Sequence, residues 1–194
     1  MNQHSTAWPA GRSSVAPLDP MRMRIAFVSS SWHREIVAVA REAALNELQH
    51  GDLPPPDVDH FEVPGAFEIP LHAKKLAQTG RYDAIIACAL VVNGGIYRHE
   101  FVAAAVIDGL MRVQIESEVP ILSAVLTPRD FHEHEDHHRF FREHFVKKGI
   151  EVARACLQTV AGLEAIQGLK GLQALQLSAA LDAPGDVALA PRTA

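Results

Sequence analysis

The stretch VVNGGIYRHEFV, from Val91 to Val102, decides how this chain folds. It overlaps Ala84 to Val92, an apolar run with no charge in it. It leads into an amphipathic segment, Phe101 to Ile115. The pattern predicts a buried strand, a double-glycine turn and a helix start. In an open parallel sheet, ligands bind where strands end and helices begin. Gly94 and Gly95 carry no Cβ, so their backbone can come close to a ligand. The first N–H groups of the next helix lack partners and favour an anion such as phosphate. Arg98, His99 and Glu100 set a cation, an imidazole and a carboxylate beside that turn. Glycine pairs are also ordinary turn formers, so the stretch gains meaning only from the other strand ends.

Working outward, Met23 to Val28 (MRIAFV) reads as a first core strand, followed by three serines and Trp32. Ile36, Val39, Ala40, Ala43, Ala44 and Leu48 then recur at helical spacing. Gly51 and Pro54 to Pro56 end that helix. Val58 to Val63 is a second strand, broken by Pro64 and Gly65. Ala66, Phe67, Glu68, Ile69 and Pro70 open a second helix, where proline is tolerated in the first turn. Ala84 to Val92 is the third strand, without polar alternation, as for a strand covered on both faces. A helix from Phe101 to near Ser117 and a strand from Val119 to Leu126 follow. A last helix is expected from about Ile150, with Val152, Ala153, Cys156, Val160 and Leu163 on one face. This alternation predicts a parallel sheet in an α/β sandwich.

At 194 residues the chain reads as one domain with tails. Residues 1–22 are expected to be a disordered or partner-bound arm, 23–166 the folded domain, and 167–194 a largely disordered tail. A net charge of −5 argues against a general nucleic-acid binder. Cys88 and Cys156 sit in apolar runs, too few for a disulfide framework, which fits a reducing, cytoplasmic compartment. No apolar run reaches the roughly 20 residues needed to span a bilayer, and no secretory leader is expected.

Three strand ends offer ligand-type groups: Ser29 to His33, Gly65 to Glu68, and Asn93 to Arg98. In a parallel sheet they share one edge. Trp32 suits stacking on a flat heterocycle, although an isolated tryptophan is more often a packing residue. A separate stretch, DFHEHEDHHRFFREHF, holds five of the eleven histidines. His134, Glu135 and His138 satisfy H-E-x-x-H by count, a zinc-protease spacing. No third ligand is evident and the segment is rich in His and Glu by composition. No metal is therefore assigned, and a solvated or subunit-facing helix is the reading preferred.

The order of VPGAFEIPL, LAQTGRYDAIIACALVV, the GG-x-x-x-H spacing and a VPIL strand resembles 6,7-dimethyl-8-ribityllumazine synthase, over about residues 23–166. The resemblance implies a flavodoxin-like, three-layer sandwich with a four-stranded parallel sheet. It implies a transferase of riboflavin biosynthesis. Such an enzyme condenses 5-amino-6-(D-ribitylamino)uracil with 3,4-dihydroxy-2-butanone 4-phosphate, releasing phosphate and water, with no cofactor. Trp32-His33, GGIYRHEFV and the histidine-rich segment resemble the type II branch, which implies a homo-pentamer paired into a decamer. By the same resemblance Trp32 would stack on the pyrimidine, beside His33. Gly65, Ala66, Phe67 and Glu68 would hold the ribityl chain and nearby polar groups. Leu90, Val91 and Val92 would line the ring pocket, and Gly94, Gly95, Ile96 and Tyr97 would cradle the phosphate. Leu122 and Ser123 would come from a neighbouring subunit.

The chain departs from the family pattern at three places. The usual catalytic histidine falls by counting on Arg98, with His99 one place later. Both are catalytic candidates: histidine transfers protons near neutral pH, whereas arginine only stabilises charge. The usual phosphate-turn threonines are Ile96 and Tyr97. The usual phosphate-binding arginine falls at an insertion, which leaves Arg139 and Arg142 as candidates. These departures motivate a second reading, a flavin- or lumazine-binding protein with little turnover. A zinc hydrolase, resting on the histidine segment alone, is a third.

Overall fold

Two uninterrupted apolar strands make the middle of the sheet. β1 (Arg24–Ser30) and β3 (Ala84–Leu90) are buried along their whole length, as expected where helices cover both faces. β2 (Asp57–Val63) lies beside β1, and β4 (Ile121–Leu126) beside β3. All pairs are parallel, in the order β2-β1-β3-β4. The structure is a computed structural model that describes residues 22–50, 54–93, 98–129, 131 and 134–181, with side chains of the last helix as far as Leu169. The first 21 residues of the expected arm at 1–22, the expected glycine turn at 94–97, His132 and the residues beyond 181 lie outside the described residues.

The helices follow from this order and from right-handed crossovers. The chain moves one way from β1 to β2 and the other way from β2 to β3 and on to β4. α1 (Arg34–Gln49) therefore falls on one face, and α2 (Ile69–Ala77) and α3 (His99–Ser117) on the other. α4 (Glu135–Leu181) returns to the α1 face. The α1 and α4 side buries Phe27, Ile36, Leu48, Ile86, Phe145 and Cys156. The α2 and α3 side buries Val28, Ile69, Ile85, Val91, Val106 and Leu110. This is the expected three-layer sandwich with a four-stranded parallel sheet.

Two features differ from the sequence reading. α4 starts at Glu135 rather than near Ile150. Its first turns hold because Phe141 and Phe145 are buried in line with Val152, Cys156 and Val160. The second feature is a buried charge in the central strand. Arg24 donates to Asp59 through Nη2 at 2.8 Å, and its backbone N–H donates to Asp83 at 2.7 Å. Tyr82 donates to the same Asp59 oxygen at 2.9 Å. Burial, then this bond, push the Tyr82 hydroxyl up to about 12. This network lies at the amino-terminal edge of the sheet, opposite the ligand-type groups.

Candidate active site

In the order β2-β1-β3-β4 the connections leave β1 and β3 in opposite directions, which opens a crevice at their carboxyl ends. A cavity of about 250 Å³ lies there. Trp32, after β1, forms part of its lining. Gly65, Ala66, Phe67 and Glu68, after β2, form another part, and Leu90, Val91 and Val92, at the end of β3, a third. His99 and Val102, from the first turn of α3, complete it. Eight expected residues of the three strand ends thus meet in one place, with His99 beside them.

Local sequence explains each wall. Pro64 and Gly65 end β2, and Ala66–Glu68 make one tight turn before α2. Pro70 sits in the first turn of α2, as expected. Glu68 stands at the N-cap position, where a carboxylate meets the positive end of the helix dipole. A Cβ on Gly65 would stand 3.0 Å from a Glu68 carboxylate oxygen, so glycine leaves room for that carboxylate. Trp32 and Phe67 remain 59% and 64% exposed, which is incompatible with a core-packing role for either. Their rings offer flat apolar area to a ligand.

His99 and Arg98 part company here. α3 starts at His99, two residues earlier than the sequence reading. The His99 side chain is only 13% exposed and lines the cavity, with Nδ1 3.6 Å from the Glu100 carboxylate. Arg98 is exposed, does not line the cavity, and lies over the Phe101 ring, 4.8 Å from its centroid. That is a cation–π contact. Val102 was not expected. It lies one turn after His99, so the two share a face of the helix.

Other expected residues sit elsewhere. His33 caps α1 in a left-handed conformation, φ 51°, and its carbonyl accepts the Ile36 and Val37 N–H groups. Its ring meets Phe131 rather than the cavity. Leu122 packs toward the α1 and α4 side, and Ser123 is exposed; neither lines the cavity of its own chain. Arg139 pairs with Asp136 on the surface, and Arg142 is exposed; neither reaches the cavity. Gly94, Gly95, Ile96 and Tyr97 lie outside the described residues. His138 lies 3.7 Å from the Glu35 carboxylate. Among the described residues no group of three or more His, Cys, Asp or Glu is placed to hold a metal ion.

The arrangement combines a flat aromatic, apolar walls, a carboxylate and one imidazole. It suits a planar heterocycle undergoing acid–base chemistry. Comparison with known proteins agrees with the architecture. A sequence model of 6,7-dimethyl-8-ribityllumazine synthase matches residues 22–164. The 6,7-dimethyl-8-ribityllumazine synthase of Rhodococcus erythropolis is 59% identical over 143 residues, 74% of this chain and 92% of that one. The 6,7-dimethyl-8-ribityllumazine synthase 2 of Bradyrhizobium diazoefficiens is 59% identical over 145 residues, 75% of this chain and 87% of that one. The protein of that name from Pseudomonas syringae pv. tomato is 53% identical over 137 residues, 71% of this chain and 81% of that one. This chain belongs to the 6,7-dimethyl-8-ribityllumazine synthase family.

Proposed function

We propose that the chain condenses 5-amino-6-(D-ribitylamino)uracil with 3,4-dihydroxy-2-butanone 4-phosphate to 6,7-dimethyl-8-ribityllumazine, with release of phosphate and water. The observation that carries this is the cavity that joins Trp32, Glu68 and His99 across three strand ends. Trp32 stacks on the pyrimidine, with Leu90, Val91 and Val92 against the ring. Ala66, Phe67 and Glu68 meet the ribityl side chain. Each C–N bond made with loss of water needs a proton taken from nitrogen and one given to the departing oxygen. His99 is positioned for that traffic, because its ring lines the cavity. An imidazole can both take and give a proton. The phosphate falls to Gly94, Gly95, Ile96 and Tyr97, which precede α3 in the sequence.

The assembly belongs to the same reading. Leu122 and Ser123, which miss their own cavity, serve a neighbour's cavity in a pentamer, and two pentamers pair into a decamer. Phe101, Ile107, Met111 and Ile115 on α3 and Leu71 on α2 are exposed in the single chain and supply apolar area for such contacts. The enzyme works in the cytoplasm, where Cys88 and Cys156 stay as buried free thiols.

Incubation of the purified chain with both substrates tests the reading. Lumazine absorbance should rise with one phosphate released per product. Tight pyrimidine binding without product would favour a binding protein instead. Sedimentation at neutral pH should give a species of at least five chains, and a stable monomer would overturn the assembly.

A further inference from the structure

Trp32 is too exposed for its own packing to hold it in place. The β1–β3 ladder ends at Ser29 and Cys88, so something beyond it must fix where Trp32 stands relative to Val92. Phe131 touches the residue that follows a cavity-lining residue on each side. Its backbone N–H donates to Asn93 Oδ1 at 3.0 Å, and Asn93 follows Val92. Its ring meets the His33 ring edge-on, with centroids 5.1 Å apart, and His33 follows Trp32. Phe131 itself is 5% exposed, bracketed by His138 at 5.3 Å and Phe141 at 5.3 Å on the first turns of α4. His33 holds a left-handed backbone that a residue with a Cβ adopts only when neighbouring contacts hold it there.

We propose that Asn93 and Phe131 are positioning residues that tie the segment after β1 to the segment after β3 and so set the gap between Trp32 and the Leu90–Val92 wall. That gap receives the planar heterocycle, an inference resting on the function proposed above. Neither residue touches the ligand, since neither lines the cavity. α4 thereby contributes to the site without placing a side chain in it. The acceptor on Asn93 is the part that matters. A side chain of similar size without an acceptor leaves the Phe131 N–H in need of another partner and loosens the two segments that follow the strands.

The test uses the full chain carrying Trp8→Phe, so that Trp32 is its single tryptophan. Asn93→Leu removes the acceptor, and Asn93→Asp keeps an oxygen at that place. Asn93 is exposed, so both variants should fold with an unchanged urea midpoint. Pyrimidine affinity is read by quenching of Trp32 fluorescence, and KM and kcat by lumazine formation. Asn93→Leu should weaken pyrimidine affinity and raise its KM by about 3- to 12-fold, the range expected for one net hydrogen bond, with kcat little changed. Asn93→Asp should return both to within about twofold of the parent. Unchanged affinity in Asn93→Leu, or equal losses in both variants, would overturn the proposal. A parent protein that binds the pyrimidine but makes no lumazine would overturn the assigned function and still leave the affinity comparison to judge the tie.

Discussion

Ser29 Oγ lies 2.8 Å from Nε2 of His60, on the α1 side of the sheet. The other ring nitrogen, Nδ1, lies 3.1 Å from Arg41 Nη1. Arginine only donates, so Nδ1 accepts and Nε2 carries the proton it gives to Ser29. Ser29 therefore faces an N–H and not a base, which removes it as an activated nucleophile.

That geometry makes stability depend on pH. Burial, then the Arg41 guanidinium, hold the His60 pKa below its usual range, against the opposing pull of Glu62. The fold binds this proton less readily than the unfolded chain, which protonates His60 near about 6.5. The unfolded state then binds more protons as pH falls through that value. This contribution is complete above about pH 6.5 and is lost progressively below it. The urea midpoint should fall from about pH 7.5 to about pH 5.5. Glutamine can accept from Arg41 and donate to Ser29 without titrating, so His60→Gln should show a smaller fall. Equal falls would remove His60 as a source of the dependence.

α1 and α4 pack tightly at Gly149. A Cβ there would stand 2.2 Å from the Ala40 carbonyl oxygen and 2.9 Å from the Ala43 Cβ. Gly149→Ala should cost about 1–3 kcal/mol in denaturant unfolding, the usual range for overpacking. Gly162, on the same helix, has nothing within 4 Å of such a Cβ. Gly162→Ala should be neutral or stabilising by up to about 1 kcal/mol, through helix propensity alone. If both variants behaved alike, the close approach would not be the cause.

Trp32 separates ligand binding from folding. Stacking of a base on an aromatic side chain is worth about 1–3 kcal/mol in nucleic-acid sites. On that scale Trp32→Ala should weaken pyrimidine binding roughly 5- to 150-fold. Trp32→Phe should retain most of the affinity. The unfolding midpoint should hold, because the side chain is 59% exposed. A loss of stability with unchanged affinity would make it a packing residue after all.

The strands and the site walls were legible because apolar runs and turn residues act locally. Ala84 to Leu90 has no polar residue to confuse it, and Pro64-Gly65 marks the end of β2. The start of α4 was hidden because its stripe, Phe141 and Phe145, runs among histidines and glutamates that read as a solvated segment. The choice between Arg98 and His99 was not legible by counting. It depends on where α3 begins: His99 is the first helical residue, and Arg98 precedes the helix in extended backbone. Val102 carried a signal, being one turn from His99, but the expected start at Phe101 obscured it. The turn of His33 toward Phe131 required a left-handed backbone that histidine rarely adopts, and the chain gives no local sign of it.

The central claim is that His99, and not Arg98, moves protons in a lumazine-forming cavity. The most direct measurement is lumazine formation by the native chain, His99→Ala and Arg98→Ala, at saturating substrates and over a range of pH. The native chain should turn over. His99→Ala should lower kcat by about 10²- to 10⁴-fold, the usual contribution of a general acid or base. Arg98→Ala should keep kcat within about tenfold, because its guanidinium lies over Phe101 outside the cavity. The reverse pattern, with Arg98→Ala inactive and His99→Ala close to native, would contradict the account.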